Sequence, residues 1–193
     1  LKKRGEDNGV SGLEIIDKAK LNQLEPNISE NAVGALHAKT SGIVCPYGLA
    51  IAAIGNAMDN GAHLILDFKV VKAEKDGEYF TVYSEDGQSV QAKVVINSAG
   101  YGSQKVAEAF GDNIPNVGYR KGEYILLDRE SGDFVNHTLF FTPTKKGKGI
   151  LVSQTVDKNI ILGPTAEEIE DGKVETKEEG LSSVIEKANE MCK

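Results

Sequence analysis

The 193-residue sequence carries 22 lysines and arginines against 29 aspartates and glutamates, a formal charge of −7 with the three histidines neutral. That balance argues against a nucleic-acid binder, which presents a basic face. At 40% hydrophobic and 26% charged residues, the composition is that of one ordinary soluble domain or two small ones, and it excludes disorder of the whole chain. The longest uncharged run, residues 40–58, contains Pro46, Gly48, Gly55 and Asn56 and is rich in alanine, so it reads as a loop entering a buried helix rather than a membrane span. Cys45 and Cys192 lie far apart without metal-ligand spacing, which supports neither a disulfide framework nor a zinc site and leaves a reducing compartment as the expectation. The start at Leu1, with no apolar signal stretch after it, leads to the expectation of a piece of a longer chain.

The first expected element is a short helix capped by Asp17, with Leu21 and Leu24 three apart and Pro26 as its stop. A second helix follows Pro46, where Leu49, Ala50, Ala53, Ile54, Ala57 and Met58 recur at the helical period and Gly61 ends it. From residue 62 the pattern turns to strands, at 63–68, 70–73, 79–84 and 92–97, with Asp76-Gly77 and Asp86-Gly87 as hairpin turns of a meander. The turn Asn97-Ser98-Ala99-Gly100-Tyr101-Gly102 then leads into a helix over 103–110 that Gly111 ends. A second, mostly antiparallel group of strands is expected at 123–128, 138–141, 149–154 and 159–162. Thr176 and Glu179 form a capping box for a closing helix, whose Leu181, Val184, Ile185 and Ala188 require a sheet or helix to pack on. The acidic stretch 167–179 reads as a solvated loop and helix start.

Small residues after a buried strand let a phosphate or ribose approach the backbone, as the 97–102 turn would, although any strand-to-helix turn favours glycine. The surrounding text resembles the FAD-dependent oxidoreductases of the D-amino-acid oxidase and glycerol-3-phosphate dehydrogenase type. Three stretches carry the resemblance: Gly42-Ile43-Val44-Cys45-Pro46 with its helix to Gly61-Ala62; Val70 and the meander ending in Val94-Val95-Ile96-Asn97-Ser98-Ala99-Gly100; and Lys121-Gly122-Glu123-Tyr124 with Lys148-Gly149 and the run from Thr155 to Leu162-Gly163-Pro164-Thr165. The third is closest to the branch holding glycerol-3-phosphate and L-2-hydroxyglutarate dehydrogenases. Three departures accompany these matches: Cys45 stands where the family usually has Asp, Lys121 where Arg is common, and Lys158 where Gly is common. The family's Gly-x-Gly-x-x-Gly is also absent from these residues.

The resemblance implies an α+β fold: an antiparallel substrate-domain sheet with helices, beside an incomplete Rossmann-like FAD-binding α/β lobe that carries the meander. It implies a division into residues 1–118 and 119–175, with the helix of 176–193 packing on a sheet. It further implies that Val70 meets the adenine of FAD, that Ala99 and Gly100 meet its ribose and pyrophosphate, and that the antiparallel sheet covers the flavin. The expected reaction of the full-length enzyme is oxidation of a small anionic hydroxy compound, preferably glycerol 3-phosphate, with L-2-hydroxyglutarate as the runner-up. A self-contained binding or interaction module without flavin is the competing class. The fragment alone is expected to be inactive and not to retain FAD. Its partners would be the anionic substrate and the rest of the flavoenzyme chain, with no nucleic acid, and its place cytoplasmic or peripheral to the inner face of the membrane.

Oxidation of a carbinol carbon needs a proton acceptor, and among His37, His63 and His137 only His137 falls in the expected substrate sheet, though each also reads as a strand or strand-end residue. Arg120, Lys121 and Lys148 are the candidate anion anchors, against a reading as solvated strand-end charges, while Lys145 and Lys146 read as a solvated hairpin tip. Tyr119, Tyr124, Phe140 and Phe141 either wall a flavin pocket or pack the sheet.

Overall fold

The computed structural model describes residues 1–112, 114, 117–144, 147, 149–170 and 173–193. In chain order the helices are α1 (Lys2–Asp7), α2 (Lys18–Leu24), α3 (Pro46–Asp59), α4 (Ser103–Ala109) and α5 (Glu178–Met191). The strands are β1 (Leu13–Asp17), β2 (Gly34–Ala38), β3 (Val70–Asp76), β4 (Tyr79–Ser84), β5 (Ser89–Ala92), β6 (Tyr119–Lys121), β7 (Ile125–Leu126), β8 (Leu139–Phe140), β9 (Leu151–Gln154), β10 (Ile160–Gly163) and β11 (Glu167–Ile169). They form two compact units: residues 1–51 with 120–193, and residues 52–119. The expected boundary near 118 is close to the second of these breaks, but the first 51 residues group with the carboxy-terminal sheet and not with the meander.

In the first unit, β7, β10, β9 and β8 form an antiparallel sheet in that order, with Ile161 opposite Ser153 and Leu162 opposite Val152. Val152 and Ile160 on this sheet join Val135, Val184, Ala188 and Met191 in one core, so the apolar stripe of α5 has the partner it required. The antiparallel pair of β1 and β2, with Ile16 opposite Ala35, adds Ile16 to that core, and α2, which connects the two strands, adds Leu21. Asp17 caps α2 as expected, its side chain accepting the Lys20 N–H at 2.8 Å. Thr176 does not cap α5. The helix begins with Lys177 as N-cap, and the Glu123 carboxylate, 54 residues away in sequence, accepts the Lys177 N–H at 2.7 Å. At the start of α3, Cys45 Sγ accepts the Gly48 N–H at 3.4 Å with Pro46 as the first helical residue, the spacing of an N-cap in which a thiol stands in for the usual oxygen.

The second unit is the meander β3-β4-β5, turned at Gly77 and Gly87, both at positive φ as the Asp-Gly signals require. Helix α4 lies against β3, and Phe110 stacks on Phe80 at 5.7 Å between centroids. Two expected strands are absent. Residues 63–68 are irregular, and the meander's last strand ends at Ala92, leaving 93–97 outside it. Leu66 is 69% and Ile96 83% exposed. These runs have strand composition, but a strand exists only where a neighbour supplies its ladder of hydrogen bonds, and none pairs with them among the described residues. Helix α3 departs from expectation for a related reason: it forms where its periodicity places it, yet buries no residue.

Candidate functional site

The chain reversal at Pro26 leaves Glu25 as the C-cap residue of α2, facing the segment that enters β8. Its side chain is almost wholly buried at 2% exposure. A buried carboxylate costs several kcal/mol, of order 2 or more, unless donors replace its lost hydration. Here the Asn136 N–H lies 3.0 Å from each carboxylate oxygen, and His137 Nδ1 lies 2.6 Å from Oε1. Asn136 Nδ2 also donates to the Leu24 carbonyl at 2.8 Å, which clamps the two segments together. His37, on β2, meets the His137 ring edge to face at 5.2 Å between centroids. Thr138 Oγ1 and Ser153 Oγ are 2.6 Å apart beside them.

These groups line a half-open cavity of about 460 Å³ within the first unit, bordered by Leu36, Gly42, Ile43 and Phe140. It is the size of a small-molecule site: apolar walls with a few convergent polar groups. The sequence pointed to His137 but not to Glu25 or His37 as its neighbours. A glutamate before proline at a helix end reads as a solvated charge, and the short alanine-rich β2 that carries His37 gives almost no strand signal.

The anchor candidates fall elsewhere. Arg120 is exposed and pairs with Glu168 at 3.2 Å. Lys121 is buried, and its ammonium lies 3.0 Å from Glu123, 3.3 Å from Glu167 and 2.6 Å from the Glu175 carbonyl, so its donors are taken by the protein and it fastens the segment leading to α5. Lys148, like Lys145 and Lys146, lies outside the described residues. The three groups of the Lys121 cluster shift as such a network demands. Glu123 is held below its ordinary 4.5 by the Lys177 N–H first and Lys121 next, Glu167 below 4.5 by Lys177 and Lys121, and Lys121 above 10.5 by Glu123.

The sign of the resulting pH dependence follows. Lowered carboxylate values contribute stability above about pH 4.5 that is lost as the pH falls through the folded values, and the raised lysine contributes below 10.5 and loses it as the pH rises through its own. The melting temperature of Glu123→Gln should therefore fall less steeply below pH 4.5 than that of the unaltered chain. Parallel acid limbs in scanning calorimetry would contradict this.

The residues expected at a nucleotide sit in the second unit. Val70 opens β3, and Ala99 and Gly100 lie in the turn before α4, held by Asn97, whose Oδ1 accepts the Ala99 N–H at 3.2 Å and whose Nδ2 donates to the Ser103 carbonyl at 2.8 Å. Gly100 has φ of 51°, and a Cβ built there would meet nothing within 4 Å. The backbone of this turn is open to a ligand, so it fits a ribose or phosphate. Tyr119 stacks on Tyr101 at 4.3 Å, while Tyr124 and Phe140 are about half exposed. Burial pushes the Cys192 thiol up to about 11, so it stays protonated near neutrality and is no nucleophile.

Antiparallel sheets with packed helices make up a mixed α/β fold of the kind found in FAD-dependent oxidoreductases. A family model for the DAO group, FAD dependent oxidoreductases, matches residues 1–193, and the chain belongs to that family. A glycerol 3-phosphate dehydrogenase of Caloramator mitchellensis is 38% identical over 195 residues, covering 100% of this chain and 40% of that protein. The mitochondrial L-2-hydroxyglutarate dehydrogenase of Mus musculus is 27% identical over 180 residues, covering 86% of this chain and 38% of its own length. The solved structure of the L-alpha-glycerophosphate oxidase of Mycoplasma pneumoniae with FAD bound superposes with a TM-score of 0.88 at 21% identity, over 99% of this chain and 52% of that one. The chain thus spans about half or less of the proteins it matches. No described helix is long and apolar enough to cross a membrane, and no group of three or more His, Cys, Asp or Glu among the described residues could hold a metal ion.

Proposed function

We propose that this chain is the central and substrate-binding part of a cytoplasmic or membrane-peripheral flavoenzyme that oxidises a small anionic hydroxy compound, with glycerol 3-phosphate the preferred substrate. The observation that carries the reading is His137, hydrogen-bonded to a buried carboxylate at 2.6 Å on the wall of a cavity of about 460 Å³. The likeness to a glycerol 3-phosphate dehydrogenase over the whole chain supports the choice of substrate. When bound, FAD supplies the acceptor for the carbinol hydride. His137 takes the hydroxyl proton at the ring nitrogen not engaged by Glu25, and Leu36, Ile43 and Phe140 give the cavity apolar walls beside it. Val70, Ala99 and Gly100 are the residues that would hold the dinucleotide. Lys121 is already neutralised by Glu123 and Glu167 and Arg120 is paired with Glu168 away from the His137 cavity, which leaves Lys148 as the candidate for attracting the substrate anion.

One preparation tests the reading. This chain and a full-length enzyme containing it are purified side by side and assayed for flavin absorbance and for turnover of glycerol 3-phosphate and L-2-hydroxyglutarate. The expected result is a colourless, inactive chain and a yellow full-length enzyme with the higher kcat/KM for glycerol 3-phosphate. Preference for L-2-hydroxyglutarate would select the second reading, favoured by the 27% identical mouse dehydrogenase. A full-length protein without flavin or turnover would leave a binding module.

A further inference from the structure

The carboxylate behind His137 is buried and is held by a main-chain N–H and an imidazole nitrogen. Glu25 is 2% exposed, and no lysine or arginine pairs with it among the described residues. Both of its oxygens face the Asn136 N–H at 3.0 Å, a main-chain donor that cannot become an acceptor. Oxygen Oε1 lies at the same time 2.6 Å from His137 Nδ1. An acceptor placed this way holds a proton on Nδ1, and in a neutral imidazole a proton on one nitrogen makes the other a lone-pair acceptor. Nε2 has no hydrogen-bond partner among the described residues, and the ring belongs to the cavity wall.

We infer that Glu25 is a positioning residue that fixes His137 as its Nδ1–H tautomer, so that Nε2 stands in the cavity as the proton acceptor for a hydroxyl group of the substrate. The inference rests on the functional reading above for the identity of that hydroxyl, but not for the tautomer. In the step it serves, the substrate O–H bond breaks and its proton passes to Nε2. The carbinol C–H bond breaks with its electron pair going to the oxidised flavin, and the C–O bond becomes a carbonyl. Glu25 touches none of the reacting atoms.

Glu25→Gln separates this role from simple packing because it keeps size and shape. The Asn136 N–H lies 3.0 Å from both carboxylate oxygens and so selects neither amide orientation: one keeps an acceptor on Nδ1–H, the other turns the NH₂ toward Nδ1, and the hold on a single tautomer is lost. The experiment is nitrogen-15 NMR of histidine-labelled chain at a pH where the ring is neutral, for the unaltered sequence, Glu25→Gln and Glu25→Asp. The expected pattern is Nδ1–H alone in the unaltered chain, a mixture of Nδ1–H and Nε2–H in Glu25→Gln, and Nδ1–H alone again in Glu25→Asp, which restores a carboxylate. In the full-length enzyme Glu25→Gln also removes the negative charge that stabilises the ring once Nε2 has taken the proton, so kcat should fall about 100-fold with KM changed less than about twofold, and Glu25→Asp should recover most of the loss. An Nε2–H tautomer in the unaltered chain overturns the inference whatever the enzyme oxidises, and this reading needs no variant to fold. An unchanged kcat in Glu25→Gln of an active enzyme also overturns it. A fixed Nδ1–H tautomer in an enzyme inert toward both hydroxy acids and glycerol 3-phosphate would overturn the functional reading and leave the positioning by Glu25 intact.

Discussion

Replacing His137 by glutamine in the full-length enzyme is expected to lower kcat by about 10²- to 10⁴-fold, the contribution of a positioned general base. Glutamine is chosen because its amide still offers an N–H to Glu25, so the buried carboxylate keeps its donor and the clamp between Glu25 and Asn136 survives. Flavin content should not change, because Val70, Ala99 and Gly100 all belong to the unit that does not contain His137. KM should move little, since the proton is transferred in the transition state and the hydroxyl contributes only part of ground-state binding. The measurement is steady-state kinetics with glycerol 3-phosphate beside the flavin-to-protein absorbance ratio. A kcat within about threefold of the unaltered enzyme, roughly 0.65 kcal/mol, would return His137 to a wall residue. His37 gives the internal control: it lines the same cavity and touches the His137 ring, but nothing ties it to Glu25 among the described residues. His37→Gln is therefore expected to alter KM more than kcat.

What could be read from the sequence follows from the range of the interaction that decides each element. Local signals were sufficient for α2, whose cap Asp17 and stop Pro26 lie within its own neighbourhood, and for the meander turns at Gly77 and Gly87. The stripe of α5 announced a buried face, and Val184 and Ala188 are in the core. Its cap is not legible locally, because a carboxylate from Glu123 reaches the Lys177 N–H across 54 residues, and no window of sequence contains that pair. The runs 63–68 and 93–97 fail as strands for the opposite reason: their composition is right, but a ladder needs a partner. The site shows the same division. His137 was visible through its place in the expected sheet and Lys121 through its place before Gly122. Pairing with Glu25 in one case and with Glu123 and Glu167 in the other settled what each lysine or histidine has beside it, and those are long-range contacts.

The largest stability effect is expected at Ile160, and it separates the packed unit from the apolar residues that this chain leaves in water. Ile160 is 1% exposed at the start of β10, with β9 on one side and Leu127 on the other, whose N–H donates to the Ile160 carbonyl at 2.8 Å. The backbone bond survives a change of side chain, so Ile160→Ala removes packing alone. The cost is the transfer energy of the lost methyl and methylene groups plus that of the cavity left between the sheet and α5, about 2–5 kcal/mol. Against a total near 5–15 kcal/mol for a domain, that is a large share. With a urea slope of about 2 kcal/mol per molar, the midpoint should fall by roughly 1–2.5 M at unchanged slope. Ile51 on α3 has the same side chain but is 71% exposed, so Ile51→Ala should shift stability by no more than about 0.5 kcal/mol. Urea titrations of the two variants followed by circular dichroism decide the matter. Equal midpoints would mean that β10 and α5 do not form the core of the first unit, whereas a large loss at Ile160 with none at Ile51 is what a packed antiparallel sheet and an exposed α3 require.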